Sequence, residues 1–312
     1  MILRKPDFYD KFKCIASQCS DTCCVGWEID VDEYSQGVYR KVAGAFGDKL
    51  RKNIEDGHFK LLSHDRCPFL DKDNLCEIYR NLGEGALCDI CREHPRFVEV
   101  YGDIMERGLG LCCEEAARLL VEGEGPLAFT IGECDEPEDE IDEEDREIRD
   151  QVLYEREKIF SILADESKPL TSRLYQAFGY TEQNPFAPFD SASDAVATLA
   201  KTESFGPAWD DALKRIKARI DTTGSADKIC DEGYFSENEG ARLIAYLIYR
   251  HYAKCLFEGL EQGKLKFAIF FWNMARFFTR ELGGKINAIK ILSRQLEYSE
   301  ENMELIETAL DG

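Results

Sequence analysis

Ten of the chain's 13 cysteines fall within its first 113 residues, at Cys14, Cys19, Cys23, Cys24, Cys67, Cys76, Cys88, Cys91, Cys112 and Cys113. Thiols at this density constrain folding more than any other residue type, because they either cross-link the chain or hold an inorganic centre. The first ten residues carry Arg4, Lys5, Asp7 and Asp10 and lack the apolar stretch of a secretory signal. A cytoplasmic, reducing compartment is therefore expected. In that compartment clustered thiols point to metal or redox chemistry rather than to a disulfide framework.

The spacing of the blocks narrows the chemistry. Cys14-x4-Cys19-x3-Cys23-Cys24 can turn three thiols toward one centre. The adjacent Cys23 and Cys24 point in different directions, so they can serve different centres, or one can pack as a small apolar residue. RCPFLDKDNLCEIY separates Cys67 from Cys76 by eight residues, LCDICREHPRF supplies a C-x2-C pair in Cys88 and Cys91, and GLGLCCEEAARL ends the series with Cys112 and Cys113. A tetrahedral zinc ion or a four-iron cluster each takes four thiolates, so more ligands are available than one site requires. Structural zinc usually shows two C-x2-C knuckles where this chain has one, and spacing leaves zinc and iron-sulfur both open. His94, three residues after Cys91, is a candidate for contact with metal or substrate. His251 sits in a helical stripe and reads as a core residue, and Cys230 and Cys255 are expected to be ordinary thiols.

The pattern predicts a mainly α protein: an irregular cysteine-rich metal-binding N-terminal domain followed by an all-α helical domain. Residues 1–125 form the first, with short elements and helices expected at Val31–Asn53 and Cys113–Val121. Residues 126–150 carry 12 acidic and 2 basic side chains and are expected to be a solvated linker. Residues 151–312 show apolar stripes at helical spacing, among them Leu243, Leu247, Ile248, Tyr252 and Leu256, and a long apolar helix over Lys264–Leu282. A net charge of −22 argues against sequence-independent affinity for nucleic acid or anionic membrane and suits a basic partner. The longest apolar stretch, Leu265–Phe278, is interrupted by Lys266 and Arg276 and is too short to span a bilayer, so no membrane insertion is expected. Dinucleotide-binding, P-loop, zincin and nucleophile-elbow motifs are absent, as is the cysteine triplet of most radical enzymes that use S-adenosylmethionine.

The blocks CIASQCSDTCCVGWEIDVD, RCPFLDKDNLCEIYRNLGEGALCDICREHPRF and LCCEEAARLL resemble the flagellin lysine N-methylase family, which contains a zinc- or iron-chelating CxxCxxCC-type cysteine-rich domain. The likeness runs over about residues 12–121. It implies a bacterial cytoplasmic protein-lysine N-methyltransferase acting on flagellin or another lysine-bearing protein, with S-adenosylmethionine and a [4Fe-4S] cluster, zinc being the alternative centre. Carried over residue by residue, it implies Cys14, Cys19, Cys23, Cys24, Cys67, Cys76, Cys91 and Cys113 as metal ligands. Cys88 and Cys112 stand outside the pattern. No motif marks the S-adenosylmethionine pocket. A lysine amine with a pKa of about 10.4 must lose its proton before it can attack a sulfonium methyl group. Glu28, Asp30, Glu77, Tyr79, Glu114 and Glu115 are the bases near the cysteine blocks, and Arg92 and Arg96 could orient the cofactor's carboxylate. The competing reading is a non-catalytic zinc- or iron-binding, or redox-sensing, protein-interaction module.

Overall fold

A computed structural model describes residues 1–181, 186–223 and 235–311; Cys230 lies outside the described residues. The chain divides into two compact units, one of Lys13–Phe97 and one of Met1–Phe12 with Val98–Gly312. The breaks expected near residues 125 and 150 both fall inside the larger unit. The first strand, β1 (Ile2–Pro6), belongs to that larger unit.

The smaller unit contains helices α1 (Glu33–Lys41) and α2 (Gly44–Lys52), the short ribbon β2 (Ile54–Glu55) and β3 (His58–Phe59), and two brief helices, α3 (Glu77–Leu82) and α4 (Asp89–Glu93). Where one helix was expected over Val31–Asn53 there are two. The first ends at Val42, whose backbone is extended. Gly47 of α2 then closes onto the Val42 carbonyl, where an added Cβ would lie 1.9 Å from the oxygen, so this joint requires glycine. Arg51 Nη1 donates to the same carbonyl at 2.8 Å. The core beneath is small: Ile29, Val31, Tyr39, Leu50, Phe59, Phe69 and Ile78 pack together, and Cys67 and Cys88 are members of it. Phe59 and Phe69 meet edge to face with ring centroids 4.9 Å apart.

In the larger unit β4 (Arg96–Tyr101), which starts at the boundary, β5 (Ile104–Leu109) and β6 (Phe129–Glu133) join β1 in a sheet of order β4-β5-β1-β6. β1 runs parallel to β5, with Ile2 opposite Ile104, and antiparallel to β6, with Ile2 opposite Glu133. The turn between β4 and β5 needs Gly102, which has φ +70° and faces Ile141 so closely that a Cβ would stand 2.6 Å from its Cδ1. The helices are α5 (Glu114–Val121), α6 (Glu143–Leu163), α7 (Leu170–Phe178), α8 (Ala192–Leu199), α9 (Pro207–Thr223), α10 (Glu237–His251), α11 (Cys255–Glu258), α12 (Glu261–Phe278), α13 (Lys285–Leu296) and α14 (Glu300–Asp311). α12 is the central one: it is buried on nearly all sides and packs against α10, α13 and α14. The chain is thus mainly α, with a helical domain after a cysteine-rich region, as the periodicity predicts.

The acidic stretch over 126–150, expected to be a solvated linker, instead supplies β6 and the start of α6. Asp142 caps α6 by accepting from Asp145 N at 2.9 Å, and Glu143, Glu144 and Asp145 occupy the first turn, where the helix dipole favours negative charge. Arg149 is buried, donates to Tyr101 O at 2.8 Å and pairs with Asp103 at 2.6 Å. Two turns further on, Arg156 forms a two-pronged ion pair with Glu106 of β5; both side chains are almost fully enclosed. Among the described residues no helix is long and apolar enough to cross a membrane.

Candidate metal centre

Four chain segments bring thiols together in the smaller unit. The Cys24 carbonyl accepts from Cys67 N at 2.9 Å, and Gly26 N donates to Asp65 O at 2.9 Å, so these two segments lie side by side. After Cys67 the chain folds back on itself. Asp71 Oδ1 accepts from Asp73 N and Leu75 N at 2.8 and 2.9 Å, and Leu70 bridges to Cys76, returning the chain beside its own start. Cys76 is the N-cap residue of α3 and Cys88 the N-cap residue of α4, and Cys91 lies one turn into α4. Cys67 and Cys88 are buried and Cys24, Cys76 and Cys91 are half-buried against the same core.

These five thiols sense one another electrostatically. Burial pushes Cys67 up to about 12, and the charges of Cys24, Cys76 and Cys88 add to the rise. Cys76 is raised for the same first reason. Cys24 is held down at about 7, chiefly by a hydrogen bond from Cys23. Cys88 is lowered by its hydrogen bond with Cys91, and the Cys91 thiol is raised by that same contact. Tyr39, fully enclosed, places its hydroxyl 3.4 Å from Cys88 Sγ.

A set of neighbouring sulfurs in a low-dielectric pocket cannot all be anionic unless a cation neutralises them. No disulfide joins the described cysteines. The all-sulfur donor set suits zinc or iron-sulfur, the soft-ligand centres. Among the described residues no trio of Cys, His, Asp or Glu already converges as a cage for a single ion.

Of the eight cysteines expected as ligands, this group contains Cys24, Cys67, Cys76 and Cys91. Cys23 borders it through Cys24. Cys14 is exposed, with Ala16 N donating to its sulfur at 3.4 Å, and Cys19 is half-buried in the loop that follows. Cys113 belongs to the larger unit, as the N-cap residue of α5, and its neighbour Cys112 is buried in that unit. Cys88, which stands outside the family pattern, lies in the same core and is joined to Cys91 by the C-x2-C spacing. His94 follows α4 with its ring 6.2 Å from that of Trp27, and its Nε2 is buried without a hydrogen-bond partner. Burial lowers its pKa to about 4, so the imidazole is neutral.

The expected bases mostly have partners of their own. Asp30 and Glu28 flank His58 Nδ1 at 2.7 and 3.4 Å on the surface. Glu77 pairs with Lys49, Glu115 with Arg118 at 2.6 Å, and Glu114 with Lys290 at 3.5 Å, while Tyr79 is exposed. Arg92 is engaged by Asp89 and Glu93, and Arg96 Nη1 donates to Arg92 O at 3.5 Å.

Residues 13–109 match the family model CxxCxxCC, described as "Putative zinc- or iron-chelating domain". The chain is 34% identical over 139 residues to the flagellar biosynthetic protein FliU of Salmonella muenchen, a match covering 41% of this chain and 81% of that protein. It is 32% identical over 136 residues to the lysine-N-methylases of Salmonella typhimurium and Salmonella choleraesuis, covering 40% of this chain and 34% of each of those proteins. The match thus spans about a third of the length of the two methylases. No solved structure matches the chain. The match to the CxxCxxCC model and a likeness that reaches across most of FliU place this chain in the FliU and lysine-N-methylase family.

Proposed function

We propose that the chain is a protein-lysine N-methyltransferase that acts on flagellin or another lysine-bearing protein, with S-adenosylmethionine as methyl donor and a [4Fe-4S] cluster held by thiols of the smaller unit. The observation that carries the reading is the gathering of Cys24, Cys67, Cys76, Cys88 and Cys91 around one small core, in a chain whose relatives are named lysine-N-methylases. These five supply the proposed ligands. A bound cluster would offer Lewis acidity and would neutralise the thiolates around it.

The reaction balances without an oxidant. The neutral ε-amine attacks the sulfonium methyl carbon, a nitrogen–carbon bond forms as the sulfur–carbon bond breaks, S-adenosylhomocysteine leaves, and the proton passes to a base. The chain's net charge of −22 supports a lysine-rich partner, since it favours encounter with a basic protein. The second reading, a non-catalytic zinc- or iron-binding module, draws support from the match reaching only 34% of the methylases' length.

The test adds labelled S-adenosylmethionine and flagellin to anaerobically reconstituted full chain and looks for methyl-lysine by mass spectrometry. Methyl transfer that depends on the iron content supports the enzyme. Absence of label in flagellin and in the other lysine-rich proteins supplied beside it, with the metal verified in place, removes it in favour of the module.

A further inference from the structure

Three side chains, one capping α1 and two within it, grip one turn of backbone. Asp32, Ser35 and Tyr39 are spaced at three and seven residues and so share a helix face. All three reach residues 86–89. Asp32 Oδ1 caps α1 by accepting from Ser35 N at 2.8 Å, and its other oxygen accepts from Asp89 N, the start of α4, at 2.9 Å. Ser35 Oγ donates to Leu87 O at 3.4 Å. Tyr39 Oη donates to Ala86 O at 2.7 Å and lies 3.4 Å from Cys88 Sγ. Cys88 thus sits at the centre of a turn whose backbone is held on both sides and whose sulfur is touched by the one phenol in that core.

Proton counting gives the Tyr39 contact its meaning. The phenol has a single hydrogen, which it gives to the Ala86 carbonyl. A Cys88 thiol can then donate its own hydrogen to the phenol oxygen. Once that sulfur is a metal-bound thiolate it has no hydrogen to give and accepts instead, and the phenol hydrogen lies within reach of both the carbonyl and the sulfur. Outer hydrogen bonds of this type orient a ligand and draw electron density from it.

We infer that Tyr39 is a positioning residue of the metal centre, its hydroxyl set against the Cys88 sulfur and able to turn its one hydrogen from the Ala86 carbonyl to a metal-bound thiolate there, while Asp32 and Ser35 fix the Ala86–Asp89 turn that presents that sulfur. The inference rests on the thiol-held metal of the proposed function. It is independent of methyl transfer, because it concerns the ligand and not the reaction.

Cobalt(II), titrated anaerobically into the reduced full chain, is the probe, since thiolate ligation shows as a sulfur-to-metal charge-transfer band. Tyr39→Phe keeps the ring and its packing on Phe59 and removes only the hydroxyl. The expected result is about tenfold weaker cobalt binding and a charge-transfer band moved to lower energy, with the far-ultraviolet circular dichroism of the parent. Asp32→Asn, which can no longer accept from both amides as a carboxylate does, is expected to weaken binding with the band in place. Tyr34→Phe, an exposed tyrosine of the same helix, is expected to change neither. Parental affinity and band energy in Tyr39→Phe overturn the inference, as does a silent Asp32→Asn if Tyr39→Phe does not fold. A parent chain that shows no thiolate band at all overturns the metal reading itself, and this inference with it.

Discussion

Cys67 and Cys88 differ in how they appear in the sequence and agree in where they lie. Both are nearly enclosed, both belong to the core of the smaller unit, and both face the same neighbouring sulfurs. Cys67→Ser and Cys88→Ser are therefore each expected to lower the metal found per chain after anaerobic purification, measured by elemental analysis, while Cys255→Ser, in the larger unit, leaves it unchanged. A second prediction concerns Glu297, whose side chain is fully enclosed beside His251 Nε2 at 2.7 Å and Arg250 at 3.3 Å. Burial alone would raise this carboxylate, but the Arg250 charge and the His251 hydrogen bond hold it down to about 2. Burial also lowers His251 to about 4. Both shifts have the same sign in their effect on stability. Between about pH 6.5, where an exposed imidazole titrates, and pH 4, the unfolded chain takes up the His251 proton and the folded chain does not, so acidification costs about 3 kcal/mol at most. The contribution is complete above pH 6.5, and Glu297 adds a further loss as the pH falls from its ordinary carboxylate range toward 2. Melting temperatures measured from pH 7 to pH 4 should fall, and His251→Gln, which keeps a donor toward Glu297, should flatten that slope.

The joint between sheet and helices depends on the Arg156–Glu106 pair. Breaking a buried pair on one side leaves the other charge stranded, at a cost of about 3–5 kcal/mol. Arg156→Met is expected to show that loss in urea denaturation, and adding Glu106→Gln should recover part of it. The same joint explains what the sequence conceals. α10, α12 and α13 are legible because their apolar residues recur at helical spacing, and the cysteine blocks are legible because thiols are rare elsewhere in the chain. β1 is not, since Ile2–Pro6 is short, carries Arg4 and Lys5, and pairs with strands roughly a hundred residues away. Arg4 reads as a surface charge yet lies 4.2 Å from the Phe129 ring centroid and within reach of Glu157. The start of α6 reads as self-repelling for a related reason: consecutive acids repel in a coil, but at a capped helix N-terminus the dipole and Arg149 offset that repulsion. Nor does a pattern of matching positions show the fold-back over Leu70–Cys76 that seats Cys67 and Cys76 in the same core as Cys88.

At the scale of the whole molecule the two units rest on different physics. The larger one buries long apolar helices, with Phe267, Phe270, Phe271, Met274 and Phe278 of α12 all enclosed, and burial of that kind needs no cofactor. The smaller one interleaves its few aromatic and aliphatic residues with sulfur, so a share of the surface that a core would use is given to thiols. Without a cation those sulfurs must either stay protonated or repel one another. With a cation, the free energy of ligation is added to that of folding. Removing metal from the anaerobic protein with a chelator should consequently act on one unit. Amide hydrogens of α1, α3 and α4 are expected to exchange faster in the stripped protein, while those of α10 and α12 keep their protection, as read by hydrogen–deuterium exchange and mass spectrometry. Equal loss of protection in both units would mean that the thiols do not stabilise the smaller unit separately. Unchanged protection in α1, α3 and α4 would mean that its aromatic core, Phe59 against Phe69 and Tyr39, suffices without a bound centre.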